Sequence, residues 1–318
     1  MRVVFFGTPE FAVPSLRALV GEGFDVAAVV TQPDAAQGRS RSQLIPPPVK
    51  VAAASEDLLV LQPEKPTDPA FLKQLRDLQP DIGVVVAYGH ILKPELLTLP
   101  PRGMVNVHPS LLPGLRGAAP VEWAIIRGHE TTGVTIMQLD AGMDSGPVLH
   151  QIPHRIGSDV TGGELAAHLA EMGAQALIET LAMLEQSDPP PQPVPQNESR
   201  ATFAPKLTRE TARIDWAKDA RAIGCLIRGL DPRPGAWTEL KGTEIKLFSP
   251  KVMEPPFPGT GAPGQVLSAQ GSLVIATGEG GAAGAAVEVF EVQPAGKARM
   301  PAEEWLRGAR LQPGARFS

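Results

Sequence analysis

Two polar residues alternate with valines in a short run that can place catalytic groups at one end of a β-strand. The run MVNVH covers residues 104–108, and its alternation puts Asn106 and His108 on the same face. An Asn carboxamide donates a hydrogen bond to a developing oxyanion, and a His ring orients the reacting groups or donates a hydrogen bond to them. The prolines and glycines of HPSLLPGLRG then end the strand and hold the next loop in a fixed shape.

A carboxylate elsewhere in the sequence completes this set of groups. Asp144 lies between Gly142 and Gly146, just after the predicted strand VTIMQLD. Taken alone, an Asp between glycines is most often a turn residue, and a lone Asn and His are most often hydrogen-bonded core polar residues. At neighbouring strand ends, however, Asp144 supplies a base for an attacking amine or a partner for His108. The three residue types together favour acyl-type transfer.

The elements that must position these groups follow an alternating strand and helix pattern. VVFFG (3–7), VAAVVT (26–31) and DIGVVVAY (81–88) are Val-rich runs typical of buried strands, with helical patterns between them. They predict a doubly wound, Rossmann-like parallel sheet, in which ligands bind at the carboxyl ends of the strands. The first turn, at residues 7–10, lacks the second glycine of a dinucleotide-binding loop, which argues against a nicotinamide cofactor.

Composition narrows the class of protein further. A chain of 318 residues, 43 % hydrophobic and 20 % charged, is long enough for two globular domains and has no apolar run long enough to span a membrane. The single Cys225 excludes an internal disulfide framework and a cysteine-ligated metal cluster. His150 and His154 fall on a predicted strand, where four residues span about 13 Å, too far to share one ion. We therefore expect a cytoplasmic enzyme without a metal.

The second half of the chain has a different pattern from the first. Residues 161–186 form the clearest helical pattern, and five prolines within residues 189–195 predict an extended, semi-rigid linker over 188–205. Beyond the linker, short alternating segments broken by Gly and Pro predict a small β-barrel of the OB type with one helix near 216–229. The expected division is therefore a domain over 1–187, the linker, and a second domain over 206–318.

Charge is distributed unevenly between the two halves. Residues 1–199 carry 13 basic and 22 acidic side chains, a net charge of −9, whereas residues 200–318 carry 16 and 12, a net charge of +4. A basic C-terminal half in an acidic chain indicates either a mildly basic domain without a partner or a surface that binds a polyanion.

Seven segments of the chain, taken in order, match one known pattern. They are FFGTPEFAVPSL (5–16), TQPDAAQGR (31–39), NVHPSLLP (106–113), RGAAP (116–120), TGVTIMQLDAGMDSG (132–146), KLTRETARIDW (206–216) and QPAGKARM (293–300). Together they resemble the methionyl-tRNA formyltransferase family. Those that look specific to this family, rather than shared with other folate-dependent formyltransferases, are TQPD…GR, KL…ARIDW and QPAGK. One departure from the family pattern is Gly114–Leu115, where a basic and then an aromatic residue are usual.

The resemblance implies formyl transfer from 10-formyltetrahydrofolate, a co-substrate, to the methionyl α-amine of initiator tRNA. It assigns catalysis to three residues: Asn106 and His108 stabilise the oxyanion, and Asp144 helps remove the amine proton. It assigns folate binding to the stretch Ser110, Leu111, Leu112 and Pro113. It places Arg39 and Arg41 in the loop that enters the tRNA acceptor stem, and Lys206 along the tRNA path. A monomer is the expected state.

Two other functions fit the same residues. A folate-dependent formyltransferase for a small amine, such as a sugar nucleotide, would use an identical trio, but would need neither the basic C-terminal half nor the TQPDAAQGRSR loop. A binding protein that has lost catalysis would keep the fold, yet the intact trio argues against it. Transfer to methionyl-tRNA compared with transfer to small amines separates these functions.

Overall fold

The chain folds into two compact units in a computed structural model. The structure describes residues 1–37, 43–187, 189, 191–253, 261–278, 285–309, 311–312 and 314–318. The first unit comprises Met1–Pro120, Thr132–Arg155 and Ala166–Ala204, and the second comprises Val121–Thr131, Ile156–Leu165 and Pro205–Ser318. The sequence-based division into 1–187, 188–205 and 206–318 stays a prediction.

Strands and helices alternate through most of residues 1–186, as the Val-rich runs and the helical spacing between them predict. A turn of 3-10 helix, Glu10–Ala12, precedes the first α-helix. The elements are β1 Arg2–Gly7, α1 Val13–Gly21, β2 Asp25–Val30, β3 Ala35–Gln37, β4 Gln43–Ile45, α2 Pro48–Ser55, β5 Val60–Leu61, α3 Pro69–Asp77, β6 Ile82–Val86, α4 Pro94–Leu97, β7 Met104–His108, α5 Pro120–Ile126, β8 Thr131–Gln138, β9 Val148–Arg155 and α6 Gly162–Gln186.

A seven-stranded sheet forms the centre of the first unit, in the order β5-β2-β1-β6-β7-β8-β9. The first five strands in this order, β5, β2, β1, β6 and β7, all run parallel to one another. Residues 82–86 are all buried, because a parallel strand with helices on both faces has no side open to water. The Rossmann-like fold class predicted from the sequence is confirmed. β8 departs from it in direction, since it runs antiparallel to β7.

An antiparallel sheet forms the centre of the second unit, and its strands come from residues 205–318 together with two described helices. Its elements are α7 Ala220–Gly229, β10 Ala236–Leu240, β11 Thr243–Met253, β12 Val266–Ser268, β13 Leu273–Ala276, β14 Ala286–Pro294, β15 Met300–Pro301 and α8 Ala302–Ala309. The strand order is β10-β11-β14-β13-β12, with β15 paired to β14. The apolar face of α7 contributes Ile223 and Ile227, which are buried in one core with Leu247 and Val289 of the sheet.

The last residues of the chain join the two edges of this sheet. The N–H of Glu239 in β10 donates to the carbonyl of Ser318 over 3.1 Å, and the N–H of Phe317 donates to the carbonyl of Gly264 over 2.9 Å. Next to Gly264, the N–H of Val266 at the start of β12 donates to the carbonyl of Ala315 over 2.8 Å. The terminal segment therefore satisfies two strand edges that would otherwise be unpaired, which supports the predicted barrel.

Candidate active site

β7 carries two of the predicted catalytic residues at its carboxyl half. Its residues are Met104 to His108, and only Asn106 among them is half-buried rather than buried. Asn106 and His108 share a face because they are two residues apart in a strand. Among the described residues, the Asn106 carboxamide has no hydrogen-bond partner. Its N–H donors are therefore open to a ligand at the edge of the sheet where ligands of parallel sheets bind.

Both ring nitrogens of His108 face oxygen atoms of neighbouring loops. Nε2 lies 3.1 Å from the Leu115 carbonyl oxygen, and Nδ1 lies 3.7 Å from Oδ2 of Asp144. A carbonyl only accepts hydrogen bonds, so the Leu115 contact keeps a proton on Nε2 and leaves Nδ1 of the neutral ring facing the carboxylate. Proton uptake at Nδ1 turns that contact into an attractive ion pair.

Burial lowers the pKa of His108 below its ordinary value of 6.5, since an imidazolium loses solvation inside the protein. The charge of Asp144 and the Leu115 carbonyl both act in the opposite direction, because each stabilises the imidazolium. The ring is only 4 % exposed. His108 is therefore a neutral base at pH 7 whose protonated form has two acceptors already in place.

The loop after β8 brings Asp144 to this histidine from an unexpected direction. Gln138 at the end of β8 pairs with Val105, so this loop begins beside the amino end of β7. The sequence placed Asp144 at a strand end neighbouring Asn106 and His108 without giving that strand a direction. Because β8 is antiparallel to β7, the loop folds back to reach His108. The Asp144 backbone has φ +50°, and its Oδ2 accepts a hydrogen bond from the Gly117 N–H over 2.8 Å.

Two residues of the loop after β7 touch the pair through their backbones. Leu115 offers its carbonyl to His108, and Gly117 offers its N–H to Asp144. Leu115 has φ +59°, a conformation that a bulky side chain seldom adopts. Gly117 has φ +121°, and a Cβ there would lie 2.7 Å from the Ala204 carbonyl oxygen, so only glycine fits. The backbone is thus held in uncommon conformations at the residues that contact His108 and Asp144.

The stretch predicted to bind folate, Ser110 to Pro113, is held firmly in this loop. Ser110 is buried, and its hydroxyl donates to the Gly114 carbonyl over 2.6 Å. Thr135 of β8 donates to the Ser110 carbonyl over 2.6 Å and accepts from the Leu112 N–H over 3.1 Å. Leu111 and Pro113 are half-buried. In this structure Ser110 and Leu112 shape the loop, while Leu111 and Pro113 offer surface to a ligand.

The residues predicted to meet tRNA are described only in part. Arg39 and Arg41 lie outside the described residues, although the strands on either side, β3 and β4, pair as an antiparallel hairpin. Lys206 is exposed in the second unit.

Sequence reasoning missed the charged group beside the trio. Arg116 is buried, and its guanidinium donates to both carboxylate oxygens of Glu198, over 2.8 Å and 2.7 Å. The hydrogen bonds that Arg116 donates to Glu198 raise the pKa of Arg116, and the charges of Asp140 and Asp144 act in the same direction. Arg116 begins the matching segment RGAAP (116–120), but an Arg within a loop of Pro and Gly is usually solvated, so its burial was not predicted.

No metal site or membrane span is evident within the described ranges. They contain no group of three or more His, Cys, Asp or Glu side chains placed to hold an ion. They also contain no helix long and apolar enough to cross a membrane.

Comparison with known proteins places this site in a family. A family model described as formyl transferase matches residues 1–181, and one described as formyl transferase, C-terminal domain, matches residues 206–310. The chain is 44 % identical over 319 residues to the methionyl-tRNA formyltransferase of Thermobifida fusca (strain YX), covering 100 % of this chain and 99 % of that protein. The chain belongs to the methionyl-tRNA formyltransferase family. A second family member, from Acidobacterium capsulatum, is 46 % identical over 318 residues, covering 100 % of this chain and 99 % of its own.

Solved structures that resemble the chain share its fold at lower identity. HypX from Aquifex aeolicus in complex with tetrahydrofolic acid aligns with a TM-score of 0.63 and 20 % identity, over 96 % of this chain and 47 % of HypX. An N-formyltransferase from Helicobacter canadensis, in complex with folinic acid and dTDP-3-aminofucose, aligns with a TM-score of 0.68 and 17 % identity, over 92 % of this chain and 98 % of its own. At these identities the likeness shows the fold, and the formyltransferase family itself rests on the sequence relatives.

Proposed function

We propose that this protein transfers the formyl group of 10-formyltetrahydrofolate to the α-amine of methionine on initiator methionyl-tRNA, the step that prepares this tRNA for translation initiation. The observation that carries the proposal is the Asn106 carboxamide, open at the sheet edge and on the same strand face as the buried His108, which faces the half-buried Asp144. Membership of the methionyl-tRNA formyltransferase family supplies the donor and the acceptor.

The three side chains divide the reaction between them. 10-Formyltetrahydrofolate supplies a formyl carbon bonded to nitrogen as the electrophile. As the methionyl amine adds to that carbon, Asn106 donates a hydrogen bond to the oxygen, on which negative charge develops. His108 takes the amine proton at Nδ1, directly or through water, and Asp144 stabilises the imidazolium 3.7 Å away. His108 then returns the proton to the folate nitrogen as the bond from that nitrogen to the formyl carbon breaks.

This division refines the roles implied by the family resemblance. There, Asn106 and His108 were both expected to stabilise the oxyanion. The contacts of the His108 ring favour a proton carrier instead, because its Nε2–H already donates to Leu115 and its Nδ1 faces Asp144. The oxyanion then receives a direct hydrogen bond from Asn106 and electrostatic stabilisation from the imidazolium.

The folate-binding and tRNA-binding assignments complete the proposal. Ser110 to Pro113 bind the folate, with Leu111 and Pro113 as the contact surfaces and Ser110 and Leu112 as the frame. Arg39, Arg41 and Lys206 bind the tRNA backbone, consistent with the net charge of +4 over residues 200–318. The proposed organisation is a catalytic domain over 1–187, a linker over 188–205 and a tRNA-binding domain over 206–318, acting as a monomer in the cytoplasm.

Acceptor choice tests the proposed function directly. With 10-formyltetrahydrofolate as donor, we expect kcat/KM for methionyl-tRNA to exceed that for free methionine or a dTDP-amino sugar by at least about 1000-fold, because only the tRNA offers phosphates to basic side chains. Unacylated initiator tRNA should inhibit competitively. Faster transfer to the amino sugar would assign the chain to small-amine formylation, and no transfer to any amine would indicate a binding protein.

The arginines of the 31–44 loop should act on tRNA and not on folate. In an Arg39→Ala, Arg41→Ala double variant we expect a higher KM for methionyl-tRNA and a log–log salt dependence of tRNA binding flatter by about 1.5 units, since each lost phosphate contact removes somewhat under one unit. The dissociation constant for folate should not change. The matched control is Arg17→Ala, Arg76→Ala, which removes two exposed arginines from α1 and α3. Equal tRNA kinetics in the two double variants would rule out the assignment.

A further inference from the structure

A segment beyond the proline-rich run folds onto the loops that carry the catalytic pair. Gln196 donates from Nε2 to the carbonyl oxygens of Asp144 and Gly146, over 2.8 Å and 2.7 Å. Its Oε1 accepts from Nη2 and Nε of Arg116, over 2.7 Å and 3.1 Å. The whole carboxamide is thus used to connect the Asp144 loop to Arg116 of the loop after β7.

The same segment holds the backbone of Arg116 and its neighbour. The Arg116 N–H donates to the Thr202 carbonyl over 2.8 Å, and the Arg116 carbonyl accepts from the Ala204 N–H over 2.7 Å. The Leu115 N–H donates to Oγ1 of Thr202 over 2.9 Å. Together with the Gln196 and Glu198 contacts to the guanidinium, residues 196–204 fix Arg116 at both its backbone and its side chain. We call residues 196–204 the clasp.

The residues on either side of Arg116 are those that contact the catalytic pair. Leu115 accepts from His108, and Gly117 donates to Asp144. Any displacement of Arg116 therefore moves the acceptor that sets the His108 tautomer and the donor that orients the Asp144 carboxylate. Catalytic groups must be held within about 0.5 Å of their productive geometry, and the residues that lock their surroundings achieve this.

Stability alone is a poor explanation for the side-chain contacts of the clasp. The Glu198 side chain is 69 % exposed, and an ion pair with so exposed a carboxylate contributes little to the free energy of unfolding. The backbone hydrogen bonds of Thr202 and Ala204 would dock the segment without Gln196. The Gln196 carboxamide instead spans two loops, of which one holds Asp144 and the other contacts His108 and Asp144.

We propose that Gln196, acting with Arg116 and Glu198, is a positioning residue that keeps Asp144 and His108 aligned for proton transfer. Its activity test rests on the proposed function. Gln196 does not contact the His108 ring or the Asp144 carboxylate. Its effect must therefore be transmitted through the backbone of Asp144 and of residues 115–117. Its loss should lower kcat while leaving the binding of both substrates almost unchanged.

Gln196→Glu isolates the contact to the Asp144 loop. The carboxylate keeps the acceptor for Arg116, but it loses both hydrogen bonds to the Asp144 and Gly146 carbonyls and repels them. The matched control is Gln192→Glu, which makes the same change of side chain at an exposed residue outside the clasp. We expect kcat for methionyl-tRNA to fall by about 10- to 100-fold in the first variant, the scale for a displacement near 1 Å, and by less than about 2-fold in the control.

Other measurements separate positioning from binding and from folding. In Gln196→Glu both KM values should stay within about 3-fold, and the Gly117 amide should exchange with solvent at least about 10-fold faster than in the parent protein. If Gln196→Glu does not fold, Gln196→Met replaces it as the test, because Met keeps the length of the side chain without its polar atoms. We expect the same fall in kcat and the same faster Gly117 exchange in that variant. Unchanged kcat, a change confined to KM, or unchanged Gly117 exchange would overturn the proposal. A parent protein that is inactive on methionyl-tRNA would refute the proposed function. In that case the exchange rate of the Gly117 amide, compared between the parent protein and Gln196→Glu, would still test whether Gln196 positions the Asp144 loop.

Discussion

Asp144→Asn should lower kcat for methionyl-tRNA by about 1000-fold while leaving the protein folded. The amide keeps an oxygen that can accept from the Gly117 N–H, now 2.8 Å from Oδ2, so the loop retains its shape. It removes the negative charge that faces Nδ1 of His108 at 3.7 Å. Without that charge the imidazolium formed on proton uptake is unsupported, so most of the contribution of His108 as a general base is lost, which is typically about 100- to 10,000-fold.

A second carboxylate in the same loop provides the control for this substitution. Asp140 is exposed, and its oxygens accept from the Gly142 N–H and the Ser145 hydroxyl. Asp140→Asn removes the same charge, and we expect it to change kcat by less than about 3-fold, since Asp140 does not contact His108. Thermal melting of the two variants should be similar. If the activity of Asp144→Asn fell only in proportion to its unfolded fraction, Asp144 would be a turn residue without a catalytic role.

Strand positions could be predicted from the sequence because buried strands leave a strong pattern. β6 is five consecutive buried residues, and the Val-rich runs at residues 3–7 and 26–31 are also strands. Strand direction is another matter. β8 is buried from residue 132 to residue 137, much as the parallel strands of the sheet are buried, and nothing in its pattern shows that it runs antiparallel to β7. The route by which Asp144 reaches His108 depends on that direction, and the sequence alone therefore did not predict it.

Residue types in the trio could be read from the sequence, but not the contacts that tune them. The Leu115 carbonyl sets the tautomer of His108 through a backbone atom, which any residue type supplies. Gln196 and Glu198 follow a proline-rich run, and prolines specify an extended backbone without specifying what it packs against. Likewise, the terminal residues 314–318 carry no strand pattern, yet they pair with both edges of the barrel sheet.

His108→Ala should lower kcat by at least about 100-fold, because it removes the proton acceptor and the positive charge that forms near the oxyanion. The control is His150→Gln, a change at a surface histidine that pairs with Glu179, which should leave kcat within about 2-fold. The dissociation constant for folate should change little in either variant. Near-normal turnover in His108→Ala would remove this residue from the mechanism.

Burial of His108 also has a measurable consequence for stability. Its folded pKa is lowered below the unfolded value of 6.5, so the unfolded chain binds more protons in the interval between the two pKa values. The free energy of unfolding should therefore rise with pH through that interval, become independent of this group above about pH 6.5, and fall on acidification. In His108→Gln this part of the pH dependence should be absent. An identical pH dependence in the parent protein and in His108→Gln would contradict a neutral, buried ring.

The double variant His108→Ala, Asp144→Asn decides whether the two residues act as one unit. If Asp144 works only by stabilising protonated His108, then removing it after the ring is gone should cost almost nothing. We therefore expect the double variant to have about the same kcat as the worse single variant. That kcat would be far higher than the value expected if the two fold-losses multiplied. Multiplied losses would instead mean that Asp144 accepts the amine proton independently of His108. In that case the carboxylate would be the base, and the 3.7 Å contact would serve only to orient the ring.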